Sequence, residues 1–202
     1  MKMDVNKFLA IILAASIVGL PLVANADKPT TTEPTVQATY LLPNAPSFDE
    51  TIPRFREKYN RRNPTLPLRE YRVIISKNIY LPLTRAASKI NEKLYSSAVL
   101  ERGSEKIKSL QLTLLPSENT AETQQNQILA EQYMIALMRH FNPTLSQEQS
   151  KENIDNLLRN GKKSLFYSQN IGAIRYIVVN SSEKTLTFAI EPIKLWLSEP
   201  DN

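Results

Sequence analysis

Two pairs of strand-like segments, each joined by a short turn, flank a stretch of helical periodicity, and this order limits the folds open to the chain. In the first pair, residues 95–102 and 106–115 read as strands joined through Gly103-Ser104. Leu110, Leu112 and Leu114 alternate with Gln111 and Thr113, the period of a sheet with one face in the core and the other in water. Pro116 closes the strand because it has no N–H to donate to a ladder. In the second pair, residues 173–179 and 185–190 are strands, with Asn180-Ser181-Ser182-Glu183-Lys184 as the hairpin turn. Between the pairs, a helix over about 120–141 places Leu129, Tyr133, Ala136, Leu137 and His140 or Phe141 on one broad face. Ser146 with Gln149 caps a second helix that buries Ile154, Leu157 and Leu158, and Gly161 stands where a left-handed C-terminal cap belongs. The short Asn142-Pro143 connection makes these helices an antiparallel pair.

The region before the first strand pair is less regular. Phe48, Ile52, Phe55 and Tyr59 have helical spacing, and Ser47 followed by Glu50 resembles a capping box. Pro53 fits the first turn of a helix starting near Thr51 better than the interior of one starting at Phe48. That helix ends before Asn63-Pro64, since the residue preceding a proline avoids helical dihedrals. Residues 71–76 read as a short strand. Residues 84–94 read as a further helix, with Ala87, Ile90, Asn91 and Leu94 on one face and Arg85, Lys89 and Lys93 exposed. Residues 165–168 form one more short strand, and Pro192 precedes a last segment carrying Leu195, Trp196 and Leu197. The expected fold is α+β, a mainly antiparallel sheet of hairpins packed against three to four helices that include an antiparallel helix pair.

The first 26 residues have the form of a cleavable export signal. Lys2 and Lys7 precede the apolar run 8–23, which ends in Ala24-Asn25-Ala26, so that Asp27 becomes the first mature residue. An uncleaved anchor is the competing reading; Gly19 and Pro21 break the run, and a spanning helix needs about 20 apolar residues. Residues 27–39 are rich in Thr and Pro and cannot bury enough surface to offset their ordering entropy, so they are expected to be a disordered lead. A single domain then covers 40–202. These features predict a periplasmic location with no transmembrane segment after cleavage. The chain has no cysteine, so an exported domain of this kind relies on packing alone. Of the formal charge of +5, Lys2, Lys7 and Asp4 lie in the signal, which leaves a mild excess of +4.

The residue inventory removes several chemistries. Without cysteine there is no thiol nucleophile, and a single histidine, His140, leaves no histidine-rich zinc site. His140 ends an amphipathic helix just before Phe141, the place of a core-edge residue or a helix-terminal cation rather than a triad base. The chain has four glycines, one of them Gly19 in the signal, and no glycine-rich phosphate loop; no cofactor is expected. Ser181-Ser182-Glu183-Lys184 satisfies the serine-lysine pattern of penicillin-binding enzymes, but it lies in a turn and lacks the partner motifs. Glu101 and Glu191 both end strands and are the best carboxylate pair for a glycan or peptidoglycan hydrolase, although a chain so rich in acids offers many such pairs.

Charge is most concentrated over 54–72. Arg54, Arg56, Lys58, Arg61, Arg62, Arg69 and Arg72 are opposed only by Glu57 and Glu70, and Tyr59 and Tyr71 are interleaved as possible stacking platforms. The alternatives are a solvated helix face or arginines that lock onto the domain's own acids. If the segment binds, its address points to an anionic envelope component or an acidic protein and not to nucleic acid.

Three stretches, FREKYNRRNPTLPLREYR over 55–72, LTRAASKINEKLYSSAVLERGSEKIKS over 83–109 and GAIRYIVVNSSEKTLTFAIEPIKLWLS over 172–198, resemble the YiiQ family of enterobacterial periplasmic proteins. The resemblance implies a Gram-negative periplasmic address and one domain. It carries over no activity, cofactor or site residue. The function expected from the sequence is therefore a non-catalytic binding or envelope-associated domain, with the carboxylate hydrolase as the alternative.

Overall fold

The computed structural model describes residues 38–42, 44–74, 83–181 and 184–194. The chain divides into two units, one up to Pro43 and one from Asn44 onward. In the first, Thr39–Leu41 form a single 3-10 turn. The expected signal, most of the lead, and Leu195, Trp196 and Leu197 lie outside the described residues.

The second unit is built on a seven-stranded sheet in which every neighbouring pair is antiparallel, in the order β1-β2-β3-β4-β7-β6-β5. The strands are β1 (Arg72–Ile74), β2 (Leu83–Lys89), β3 (Leu94–Glu101), β4 (Ile107–Leu114), β5 (Phe166–Ile171), β6 (Ile174–Asn180) and β7 (Leu186–Pro192). Three α-helices accompany them among the described residues: α1 (Ile52–Arg62), α2 (Thr120–Phe141) and α3 (Gln147–Gly161). The fold is α+β. Strands β1–β4 form one meander and β5–β7 a second. The α2–α3 pair connects them, and the second meander docks with its last strand, β7, against β4.

The pairing register explains the core. Leu94↔Leu114, Ala98↔Leu110, Leu112↔Phe188 and Tyr176↔Ile190 are cross-strand partners, so the alternating apolar residues of four adjacent strands meet on one face. They form one cluster with Phe55 and Tyr59 of α1, Tyr133, Met134 and Leu137 of α2, and Ile154 and Leu157 of α3. The expected Ser146–Gln149 capping box is formed. Helix α2 starts on a cap not expected from the sequence: the Asn119 side chain accepts from the N–H groups of Ala121 and Glu122.

Four expectations are corrected. The segment at 84–94 is not a helix: Leu83–Lys89 is strand β2, and Asn91 makes the turn that follows by accepting from the N–H groups of Lys93 and Leu94 at 2.8 Å. Ala, Arg and Lys favour helix in isolation, but here β2 is held between β1 and β3, with Ala86 and Ser88 buried opposite Ala98 and Ser96. Ser47 and Glu50 do not form a capping box. Residues 48–51 instead run beside β4, with Phe48 N–H donating to the Ile107 carbonyl at 2.7 Å, and Thr51 precedes α1 without a side-chain cap. Gly161 is still helical and has no positive φ; it is a point of close approach to β6. The second face of β4 is not wet. Ser109, Gln111 and Thr113 are all buried, with Gln111 Nε2 donating to Ser109 Oγ and Ser109 Oγ donating to Glu191, both at 3.4 Å. As the middle strand of seven, β4 satisfies these groups laterally.

Candidate functional site on the first helix

The side chains of α1 divide cleanly. Ile52, Phe55 and Tyr59, at i, i+3 and i+7, are buried. Arg54, Lys58, Arg61 and Arg62, at i, i+4, i+7 and i+8, therefore share the outward face. Pro53 occupies the first turn, where no N–H is missed, and Arg61 and Arg62 lie in the last turn, where cations complement the helix dipole.

This stripe is partly neutralised along one border. Lys58 Nζ lies 2.8 Å from Glu50 Oε1, Lys106 Nζ of the β3–β4 turn 2.7 Å from Asp49, and Arg61 2.5 Å from Glu57. Exposed Lys106 and its partner favour each other's charged forms: the ammonium hydrogen bond and charge hold the Asp49 carboxyl below its ordinary range. Such exposed pairs contribute little to stability. Arg54 and Arg62 are exposed and have no ion-pair partner among the described residues.

The remaining residues of the basic segment go elsewhere. Arg56 turns toward the following loop and donates from Nε to the Leu68 carbonyl at 3.2 Å. Asn60 fixes the same point from both sides, donating to the Leu68 carbonyl at 2.9 Å and accepting from its N–H at 2.8 Å. Arg69 is on this loop, its carbonyl accepting from Ser88 Oγ, and Arg72 opens edge strand β1. Four of the seven basic residues are thus gathered on one face. The interleaved tyrosines do not join them: Tyr59 is wholly buried, and the half-buried Tyr71 packs edge-on against Phe55, with its hydroxyl 2.6 Å from Ser96 Oγ.

Beneath the stripe lies a contact that sequence spacing did not reveal, because its partners are ninety residues apart. The His140 side chain, 4% exposed, places Nε2 2.9 Å from Glu50 Oε2. Its ring meets Phe55 edge-on at 4.9 Å and Phe141 at 5.1 Å. Burial lowers the His140 pKa, and Lys58 and Arg62 push the same way, against the hydrogen bond and charge of Glu50. Nδ1 is buried without a partner, so a proton there would have no acceptor. The neutral ring, donating Nε2–H to Glu50, follows. Burial also opposes the Glu50 charge, but hydrogen bonds from His140 and Lys58 outweigh it and hold that carboxyl below its ordinary value. His140 is a core residue and not a helix-terminal cation.

Both shifts have the same sign for stability. Each group binds protons more weakly in the folded chain than in the unfolded one, so stability rises with pH where they titrate. The His140 contribution is present above its ordinary value of 6.5 and is lost as pH falls below it; that of Glu50 is lost below 4.5. The melting temperature should therefore fall from pH 7 to pH 4. In His140→Gln the fall near pH 6 should disappear while the lower part persists; an unchanged profile would reject this assignment.

The carboxylate pair is not arranged across a cleft. Glu101 Oε1 lies 3.7 Å from Lys108 Nζ, and its other oxygen accepts from Ser104 Oγ at 2.6 Å. Glu191 is buried on β7 with Ser109, and β4 runs between the two. Among the described residues no group of His, Asp and Glu is arranged to hold a metal ion, and no helix is long and apolar enough to cross a membrane.

No solved structure matches the chain. Residues 11–199 match the model of a protein family described as "Protein of unknown function (DUF1454)". The chain is also 48% identical over 176 residues to the "Uncharacterized protein YiiQ" of Escherichia coli (strain K12), an alignment covering 87% of this chain and 86% of the relative. With a family model spanning nearly its whole length and a relative aligned across most of both chains, this protein belongs to the YiiQ family of uncharacterised proteins.

Proposed function

We propose that the protein is exported to the periplasm and acts there, without catalysis, as a binding domain for an anionic envelope component. The observation that carries the reading is the outward face of α1, where Arg54, Lys58, Arg61 and Arg62 stand together, two of them without an ion-pair partner among the described residues. The basic start, the apolar run and the Ala24-Asn25-Ala26 sequence support export. A helix that turns its apolar side fully into the core has only this charged face to offer. Contacts of that kind are electrostatic, tolerant of ligand shape and sensitive to salt.

Material from the periplasmic fraction should begin at Asp27 and bind vesicles containing anionic lipid or lipopolysaccharide more tightly than neutral vesicles. Each basic side chain near an anionic surface contributes about 1 kcal/mol, so Arg61→Glu combined with Arg62→Glu should weaken binding at least about thirtyfold. Binding that is indifferent to this double reversal and to salt would refute the reading.

A further inference from the structure

The opposite end of the sheet carries a second feature, separate from the α1 stripe. A cavity of about 640 Å³ opens between α2, α3, the end of β4 and the β6–β7 turn. That volume lies within the range of about 300–1,000 Å³ typical of small-molecule sites. Its floor is aliphatic: Leu114, Ala130, Met134, Leu158 and Leu186. The α2 wall runs from Thr123 to Met134, about 16 Å along the helix axis.

Charge is distributed unevenly around this floor. Glu131 and Asp155 face Lys151, whose ammonium pairs with Asp155 at 2.6 Å and whose pKa is raised by that hydrogen bond and, less, by Glu131. Asp155 is thus compensated within the protein, whereas Glu131 makes no ion pair among the described residues and leaves one negative charge on the wall. Arg159, Lys162 and Lys184 also line the cavity, are exposed, and have no ion-pair partner among the described residues. Lys184 also borders an adjoining recess in which Lys93 stands with Glu118 and Glu122. Three cations against one unpaired carboxylate leave the rim net positive, and beside an aliphatic floor this suits an anion at one end and something apolar along its length.

Two absences narrow the chemistry further. None of the described residues lining the cavity is aromatic, so there is no platform for a nucleobase or an aromatic ring. The sheet edges, β1 and β5, are not among its walls, so an extended peptide finds no strand edge to pair with. We infer that this groove binds a single-chain anionic amphiphile, with the aliphatic tail over Leu114, Ala130, Met134, Leu158 and Leu186 and a carboxylate or phosphate head at Arg159, Lys162 and Lys184. The site shares no residue with the α1 stripe and goes beyond the function proposed above.

Calorimetric titration of the mature chain with dodecanoate, dodecyl phosphate, dodecyltrimethylammonium and inorganic phosphate, each below its micellar concentration, tests this. The two anionic amphiphiles should bind at least about tenfold more tightly than the cationic one and than phosphate alone, and their ratio identifies the preferred head. Lys162→Glu with Lys184→Glu should weaken anionic binding at least about tenfold. Gln127→Trp, at an exposed wall position, should block the groove without changing charge. Arg61→Glu with Arg62→Glu should leave this binding within about twofold, which separates this site from the α1 stripe. Equal binding of the cationic and anionic amphiphiles, phosphate binding as tight as dodecyl phosphate, or insensitivity to both groove variants would overturn the assignment.

Discussion

Phe55→Ala is expected to lower the unfolding free energy by about 3–5 kcal/mol, a large part of the about 5–15 kcal/mol that a domain commonly has. The ring is fully buried and joins three parts of the chain: Tyr59 on its own helix at 5.8 Å, Tyr71 before β1 at 6.4 Å, and Phe141 at the end of α2 at 5.5 Å. Removing it leaves a cavity among stiff rings that cannot collapse into the space, so the cost includes the void as well as the lost transfer energy. Urea denaturation reads the change as a lowered midpoint with an unaltered slope. A cost below about 1 kcal/mol would show that α1 is not anchored by this cluster. The same ring packs against His140, so the variant should also flatten the decline in melting temperature near pH 6.

Gly161→Ala is the second large effect, and its sign runs against propensity. Alanine in place of glycine within a helix is normally favourable by up to about 1 kcal/mol. At this position a Cβ would lie 2.8 Å from Val178 Cγ1 and 3.3 Å from Val178 Cβ. Val178 is fully buried on β6 and branched at Cβ, so it has little rotamer freedom with which to yield. Asn180 reinforces the contact by donating from Nδ2 to the Gly161 carbonyl at 2.8 Å. Overpacking of this kind costs about 1–3 kcal/mol, and the variant should be destabilised. Val178→Ala opens the space that the new methyl needs. The double variant should therefore be more stable than the sum of the single effects by about 0.5 kcal/mol or more. Strict additivity would mean that α3 moves away from the sheet instead of pressing on it.

Both residues also show how far sequence reasoning reaches. Phe55 was legible as a core residue because Ile52, Phe55 and Tyr59 repeat at helical spacing, and the same spacing assigns Arg54, Lys58, Arg61 and Arg62 to the other face. Gly161 was legible only as a helix terminus. Its role in close packing depends on Val178, which belongs to a strand formed after the helix has ended. Likewise, the Glu50–His140 contact, the neutral state of His140 and the enclosure of Ser109, Gln111 and Glu191 are products of neighbours distant in the chain.

The sequence by itself determined the α+β class, the antiparallel hairpins, the α2–α3 pair with the capping box of α3 and the burial stripes, because each rests on a period, a cap or a turn contained within a few residues. Tertiary structure alone decided that residues 83–89 become a strand, since their intrinsic preference is helical and only the edges of β1 and β3 outweigh it. It also decided that β7 lies against β4, bringing the end of the second meander beside the helix pair. That placement builds the groove: its floor and cationic rim come from β4, α2, α3 and the approach to β7, segments that no local pattern links.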